Sequence, residues 1–171
     1  MGGRGALQGN RVPEEKRSYR NESPKGVKEI EGVKILRSLE TPLAKVPIVS
    51  NTPDTRYIVA NREGEIHYIS EYRNNKLVFS VDIDYQNGIH GHVWDKNIER
   101  TSHDKTNIYR VPERYMGLLR GCLEYNHKYF DRPKEGKMSG NRDVDIEALL
   151  KKRKQTNDEI NKAAPTKHDS I

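Results

Sequence analysis

Residues 65–95 read EIHYISEYRNNKLVFSVDIDYQNGIHGHVWD. Two alternations flank the pair Asn74-Asn75. On one side Ile66, Tyr68 and Tyr72 share a face, with His67, Glu71 and Arg73 on the other. On the other side Leu77, Phe79, Val81, Ile83 and Tyr85 alternate with Ser80, Asp82 and Asp84. A period of two is the signature of strands with one buried face. Asn tolerates positive φ, so Asn74-Asn75 reads as a two-residue hairpin turn. That turn sets Tyr72 against Leu77, Tyr68 against Val81 and Ile66 against Ile83. It also sets His67 against Asp82 and Glu65 against Asp84 on the outer face. Apolar residues then meet apolar residues, as a one-sided sheet requires.

Working outward, residues 56–60 (RYIVA) read as a preceding strand, joined through a turn at Asn61-Arg62-Glu63-Gly64. Residues 89–95 read as a fourth strand after the turn pair Asn87-Gly88. Residues 96–110 look like a loop, and Pro112 opens a helix over 112–130. Its apolar stripe is Tyr115, Leu118, Leu119, Cys122, Tyr125 and Tyr129, with Pro133 as the stop. Gly117 and Gly121 suit a close approach of that helix to the sheet. Residues 25–39 carry Val27, Ile30, Val33, Ile35, Leu36 and Leu39, and are read as a helix despite Gly26 and Gly32. Pro42, Pro47 and Pro53 give an extended connector, with a short strand near Val46–Val49. Asp143 is a candidate N-cap for a final helix marked by Ile146, Leu149, Leu150 and Ile160, with the basic run Lys151-Lys152-Arg153-Lys154.

The expected fold is therefore α+β: a four-stranded antiparallel meander over 56–95, packed against one or two helices. Residues 1–24 form a disordered arm, 25–132 the folded part, and 133–171 a linker with a basic helical tail. Aromatic residues support this division: of 12, eleven lie between Tyr57 and Phe130, and Tyr19 alone lies outside.

Composition limits the functional classes. The 171 residues are 33% hydrophobic and 33% charged, which suits a small core with polar flanks. No apolar run approaches the length of a membrane span, and no signal peptide opens the chain. Cys122 is the single cysteine, which excludes an internal disulfide and a cysteine-built zinc site. The net charge of +6 comes from 31 Lys and Arg against 25 Asp and Glu. Residues 56–130 hold 11 basic and 10 acidic residues, so the excess sits in the flanks. Solubility is the favoured consequence of this charge, and any contact with RNA would run through the basic tails rather than the core. No cofactor is expected.

The chemistry-bearing residues cluster around Asp82–Asp95. If Asn87-Gly88 is a two-residue loop, His92 faces Ile83 and His90 faces Tyr85, on the apolar side. With one more residue and a bulge, His92 faces Asp84 and shares a surface with His67 and Asp82. Three readings follow: a polar outer face, acid–base chemistry of the kind that cleaves RNA, or two histidines and a carboxylate sharing a metal. The acid–base reading names His67, His92, Asp82 and Asp84, with Arg110 and Arg114 steadying phosphate. His103 and His127 lack a carboxylate partner at useful spacing, and Cys122 reads as a buried structural thiol.

The opening Met1-Gly2-Gly3-Arg4-Gly5-Ala6, followed by a meander with Ile83, Asp84, Gly88, His90 and His92, resembles small prophage and bacteriophage proteins of Gram-positive bacteria. It is similar to the meanders of toxin-like domains at the ends of phage minor head proteins. The resemblance implies a mobile-element origin more than an activity. The expected function is that of a phage accessory or virion-associated protein that binds a phage or host protein, in the bacterial cytoplasm or the virion; the alternative is a small toxin-like, metal-independent ribonuclease using the His/Asp cluster. Binding ranks ahead of catalysis because no motif demands an enzyme.

Overall fold

The computed structural model describes residues 19–39, 45–94 and 108–151. Seven strands form one mixed sheet: β1 (Tyr19–Arg20), β2 (Glu29–Ile30), β3 (Val33–Ser38), β4 (Thr55–Ala60), β5 (Ile66–Arg73), β6 (Lys76–Asp82) and β7 (His90–Val93). Strands β3 to β7 lie side by side in chain order, and β1 and β2 both pair with β3. The β3–β4 pair is parallel and the others are antiparallel. A 3-10 turn at Glu113–Tyr115 leads into helix α1, Met116–Phe130. The α+β class holds, and the sheet has more strands than the four expected.

The additional strands come from the segment read as a helix. Residues 25–39 instead form β2 and β3, with Glu31 and Gly32 at φ +50° and +80° between them. Two consecutive positive-φ residues make a tight hairpin turn, and no helix accommodates them. The apolar spacing Val27, Ile30, Val33 fits a helix as well as it fits these strands. Only the turn distinguishes the two. The proposed strand near Val46–Val49 shrinks to one bridge, Val49 to Lys76. Of the arm read as disordered, residues 1–18 lie outside the described residues, and Tyr19–Arg20 pair with Ser38 and Arg37.

The Asn74-Asn75 turn forms as read, with φ of 57° and 68°. It sets Arg73 against Lys76 and Tyr72 against Leu77. The register then slips, because Glu71 pairs with Phe79 and Val78 is left over as a bulge. Beyond it Tyr68, not His67, lies opposite Asp82. Tyr68 and Tyr72 therefore lie on the opposite side from Ile69, which belongs to the core cluster. Glu71, expected outside, is buried beneath the 3-10 turn, where the Tyr115 hydroxyl donates to its Oε1 at 2.7 Å.

Helix α1 lies on that core face. Leu118, Leu119, Cys122, Leu123 and Tyr125 are buried against it, and Tyr115 stacks on Phe79 with ring centroids 5.5 Å apart. Burial pushes the Cys122 thiol pKa up, as suits a structural cysteine. A Cβ on Gly121 would stand 2.8 Å from Ile30 Cγ2, so this glycine does allow close packing against β2. Buried Asn126 closes the end of β5: its Oδ1 accepts from Ile66 N and its Nδ2 donates to Ile66 O, both at 2.9 Å. Asp131, at φ 56°, ends the helix in a left-handed cap two residues before Pro133.

Residues 146–151 are helical, with Ile146 and Leu150 buried. Asp145, not Asp143, accepts from Ala148 N as its N-cap. Lys152 to Lys154, Ile160, Asp95 and His103 lie outside the described residues. Among the described residues no helix is long and apolar enough to cross a membrane.

Candidate metal centre

The connection between β6 and β7 matches neither expected register. Residues 83–89 form a longer loop, and Asp82 pairs with His90 while Ser80 pairs with His92. The loop is held by Asp84. Its Oδ1 accepts from the amides of Gln86 and Asn87 at 2.9 Å, and its Oδ2 accepts from Asn87 Nδ2 at 3.1 Å. Partial burial alone would raise the Asp84 pKa, but these hydrogen bonds outweigh it and hold it below the usual carboxylate range. Asp84 is thus a turn-former rather than a base facing a histidine. Gly88, at φ +110°, completes the bend.

Side chains two apart on a strand share a face. His90 and His92 therefore project together, with Asp82 beside them from β6. Gly91 between them is required by packing on the other face: a Cβ there would stand 2.4 Å from Phe79 Cζ. The edge of β7 is covered by backbone bridges from Gly91 to Tyr109 and from Ile89 to Met138. On the histidine face, Trp94 Nε1 donates to Ser80 Oγ at 2.9 Å. His92 is 2% exposed, His90 13% and Asp82 24%.

Three donor atoms converge. His90 Nε2 and His92 Nε2 are 3.1 Å apart, and Asp82 Oδ2 lies 3.2 Å from His92 Nε2 and 3.6 Å from His90 Nε2. His90 Nδ1 lies 2.8 Å from the Gly88 carbonyl oxygen. A carbonyl only accepts, so Nδ1 carries a proton, and the Nε2 of a neutral His90 holds a lone pair. A carbonyl fixing the outer nitrogen is the usual support of a metal-ligating histidine. Ligands about 2.0–2.2 Å from one ion stand roughly 3.0 Å apart at octahedral angles and roughly 3.4 Å apart at tetrahedral ones. Two of the observed separations, 3.1 and 3.2 Å, fall in that range, and the third, 3.6 Å, lies just beyond it. Asp82, His90 and His92 are also a group of metal-ligating type by mutual distance, all within 4.8 Å.

The remaining expected site residues fall elsewhere. His67 Nε2 lies 3.2 Å from Asn61 Nδ2. His67 lines a cleft of about 290 Å³ with Asp82, Asp84, Glu65 and Arg132. Burial is the main cause of its lowered pKa, with Glu65 opposing. Glu65 and Arg132 form a bidentate pair at 2.6 and 3.1 Å. Arg110 pairs with Asp143 at 2.8 Å, while Arg114 pairs with Glu147 at 2.9 Å and lies 3.7 Å from Glu71. His127 Nδ1 bonds the Arg132 carbonyl. Thus Asp82 and His92 meet, His67 and Asp84 join Asp82 only as cleft walls, and the two arginines bind carboxylates. His90, absent from the acid–base set, is the residue the longer loop brings in. The signal for it was the His-x-His spacing.

No family model matches the chain, and no curated protein or solved structure is significantly similar to it.

Proposed function

We propose that this protein is a metal-dependent one, in which Asp82, His90 and His92 hold a single divalent ion of the zinc class. The convergence of two imidazole Nε2 atoms and one carboxylate oxygen, at separations an ion would impose, carries this reading. Imidazole and carboxylate donors together suit zinc, iron, cobalt or nickel rather than calcium or magnesium. Three protein ligands leave positions for water and substrate, the arrangement of hydrolytic and oxidative centres rather than of structural ones. The count of three is that of the described residues.

The acid–base ribonuclease reading is supported less well. A proton shuttle needs one imidazole nitrogen on a carboxylate and the other turned to substrate. Of the two histidines in the acid–base set, His92 is 2% exposed with its Nε2 turned to His90 and Asp82, and His67 Nε2 faces Asn61. Its remaining support is the cleft that His67 shares with Asp82 and Asp84. The protein-binding reading rests on the phage resemblance. Ile48 and Met138 are the large apolar side chains exposed among the described residues, which is no apolar docking patch.

The test is elemental analysis of protein purified without chelator and after incubation with zinc, iron, cobalt or nickel. One equivalent of one metal is expected, falling below about a tenth of an equivalent in His92→Ala and Asp82→Ala. No bound metal under any of these conditions overturns the proposal. Metal-free protein that cleaves RNA, with His92→Ala inactive, puts the ribonuclease in its place.

A further inference from the structure

On the core side of the sheet, where the 3-10 turn and the 146–151 helix meet the strands, lies a second cleft of about 620 Å³. Its floor is Glu71, 2% exposed, and three guanidinium groups surround that one carboxylate. Arg73 Nη1 is 2.7 Å from Oε2, Arg114 Nη2 3.7 Å from Oε2 and Arg56 Nε 3.9 Å from Oε1. One negative charge faces three positive ones, and Lys151 adds a fourth at the rim. Of the other acids lining the cleft, Asp54 and Glu147 are exposed. One Asp54 oxygen accepts from Asn74 N in the hairpin turn.

Arg114 shows what the surplus positive charge attracts. Its Nη1 donates to Glu147 at 2.9 Å, and that carboxylate is 73% exposed. Its buried Nε has no hydrogen-bond partner among the described residues. Because Glu147 faces solvent, an incoming oxyanion can take its place on the Arg114 Nη1 edge, where a planar guanidinium favours carboxylate and phosphate groups. The volume is that of a small-molecule site.

We infer that this cleft binds a small multivalent oxyanion, a phosphate- or carboxylate-bearing metabolite, between Arg56, Arg114 and Lys151, with Glu147 standing in for it when it is absent. Glu71 and Arg73 form the fixed floor. Glu147 is the displaceable rim, so its removal tightens binding. The inference is independent of the metal centre, since the cleft draws on none of Asp82, His90 or His92.

The test is calorimetric titration of the full chain with inorganic phosphate, pyrophosphate and malonate, each against sodium chloride of matched ionic strength. Saturable one-site binding is expected for at least one of them. The tighter arm tells a phosphate ligand from a carboxylate one. Arg56→Gln leaves Tyr115 and Arg73 on Glu71, so it preserves the floor and weakens binding about tenfold or more, whereas Glu147→Gln strengthens it. Heats equal to those of the chloride control for all three anions overturn the inference. So does binding that Arg56→Gln and Glu147→Gln both leave unchanged, which would place the anion elsewhere.

Discussion

The histidine cluster and the arginine cleft occupy opposite sides of one sheet and pose opposite electrostatic problems. At Asp82, His90 and His92, two imidazole nitrogens and one carboxylate oxygen converge. At Glu71, three cations crowd one buried carboxylate. The first arrangement is completed by a positive ion and the second tolerates another negative one. Strand alternation delivers both: Glu71 on β5 points to the helix side, and Asp82 on β6, four residues beyond the Val78 bulge, points away from it. A bulge that shifts register by one residue thus decides which acidic group is buried and which meets the histidines.

Removing the centre of the arginine region has the largest expected effect. Glu71→Ala leaves three guanidinium groups facing one another and orphans the Tyr115 hydroxyl, so it costs about 3–5 kcal/mol of stability in urea denaturation. Glu71→Gln, which still accepts from Tyr115, costs less. If Glu71→Ala were no less stable than wild type, the arginines would not be held by that carboxylate.

The histidine region responds to metal instead. Zinc at 100 times its dissociation constant stabilises the wild type by about 2.7 kcal/mol through binding linkage. Asp82→Ala abolishes that gain while changing the metal-free protein little, because the carboxylate is partly exposed. Thermal melts with and without zinc check this; an equal zinc shift in the variant removes Asp82 from the ligand set. Gly91→Ala tests the packing on the other face of the strand that carries the histidines. The added Cβ collides with Phe79, so a loss of about 1–3 kcal/mol is expected. A neutral result in the same melts means the ring moves aside freely.

The smallest effect is a pH slope. Burial lowers the His67 pKa below its ordinary 6.5. As pH falls through 6.5 the unfolded chain takes up this proton first, so folding loses stability until the lower folded value is passed. Above 6.5 the group contributes nothing, and the slope is at most about 1.4 kcal/mol per pH unit. His67→Gln keeps a partner for Asn61 and flattens the stability profile between pH 7.5 and 5 in chelator-treated protein. Identical profiles would show that His67 titrates normally.

Much of this architecture was legible in the residues. Asn74-Asn75 announced its hairpin, and the stripe from Tyr115 to Tyr125 announced α1. The bulge was not legible, because Leu77, Val78 and Phe79 are all apolar and alternation cannot show which one is surplus. The helix expected over 25–39 failed on a two-residue turn that periodicity does not register. Glu71 was read as a surface residue because a carboxylate in a strand usually is one, and two of its three counter-charges, Arg56 and Arg114, come from other segments of the chain. The candidate site was half legible. The spacing of His90 and His92 pointed to a shared face, but Asn87-Gly88 signalled a tight turn where Asp84 builds a longer one. That difference moved Asp82, instead of Asp84, to the histidines.

The most direct test of the metal centre is an anomalous difference map from crystals of zinc-loaded protein, measured at the zinc edge. The account predicts one strong peak between the two imidazoles, about 2.0–2.2 Å from His90 Nε2, His92 Nε2 and an Asp82 carboxylate oxygen. A map with no peak there, or with its principal peak on other residues, contradicts it.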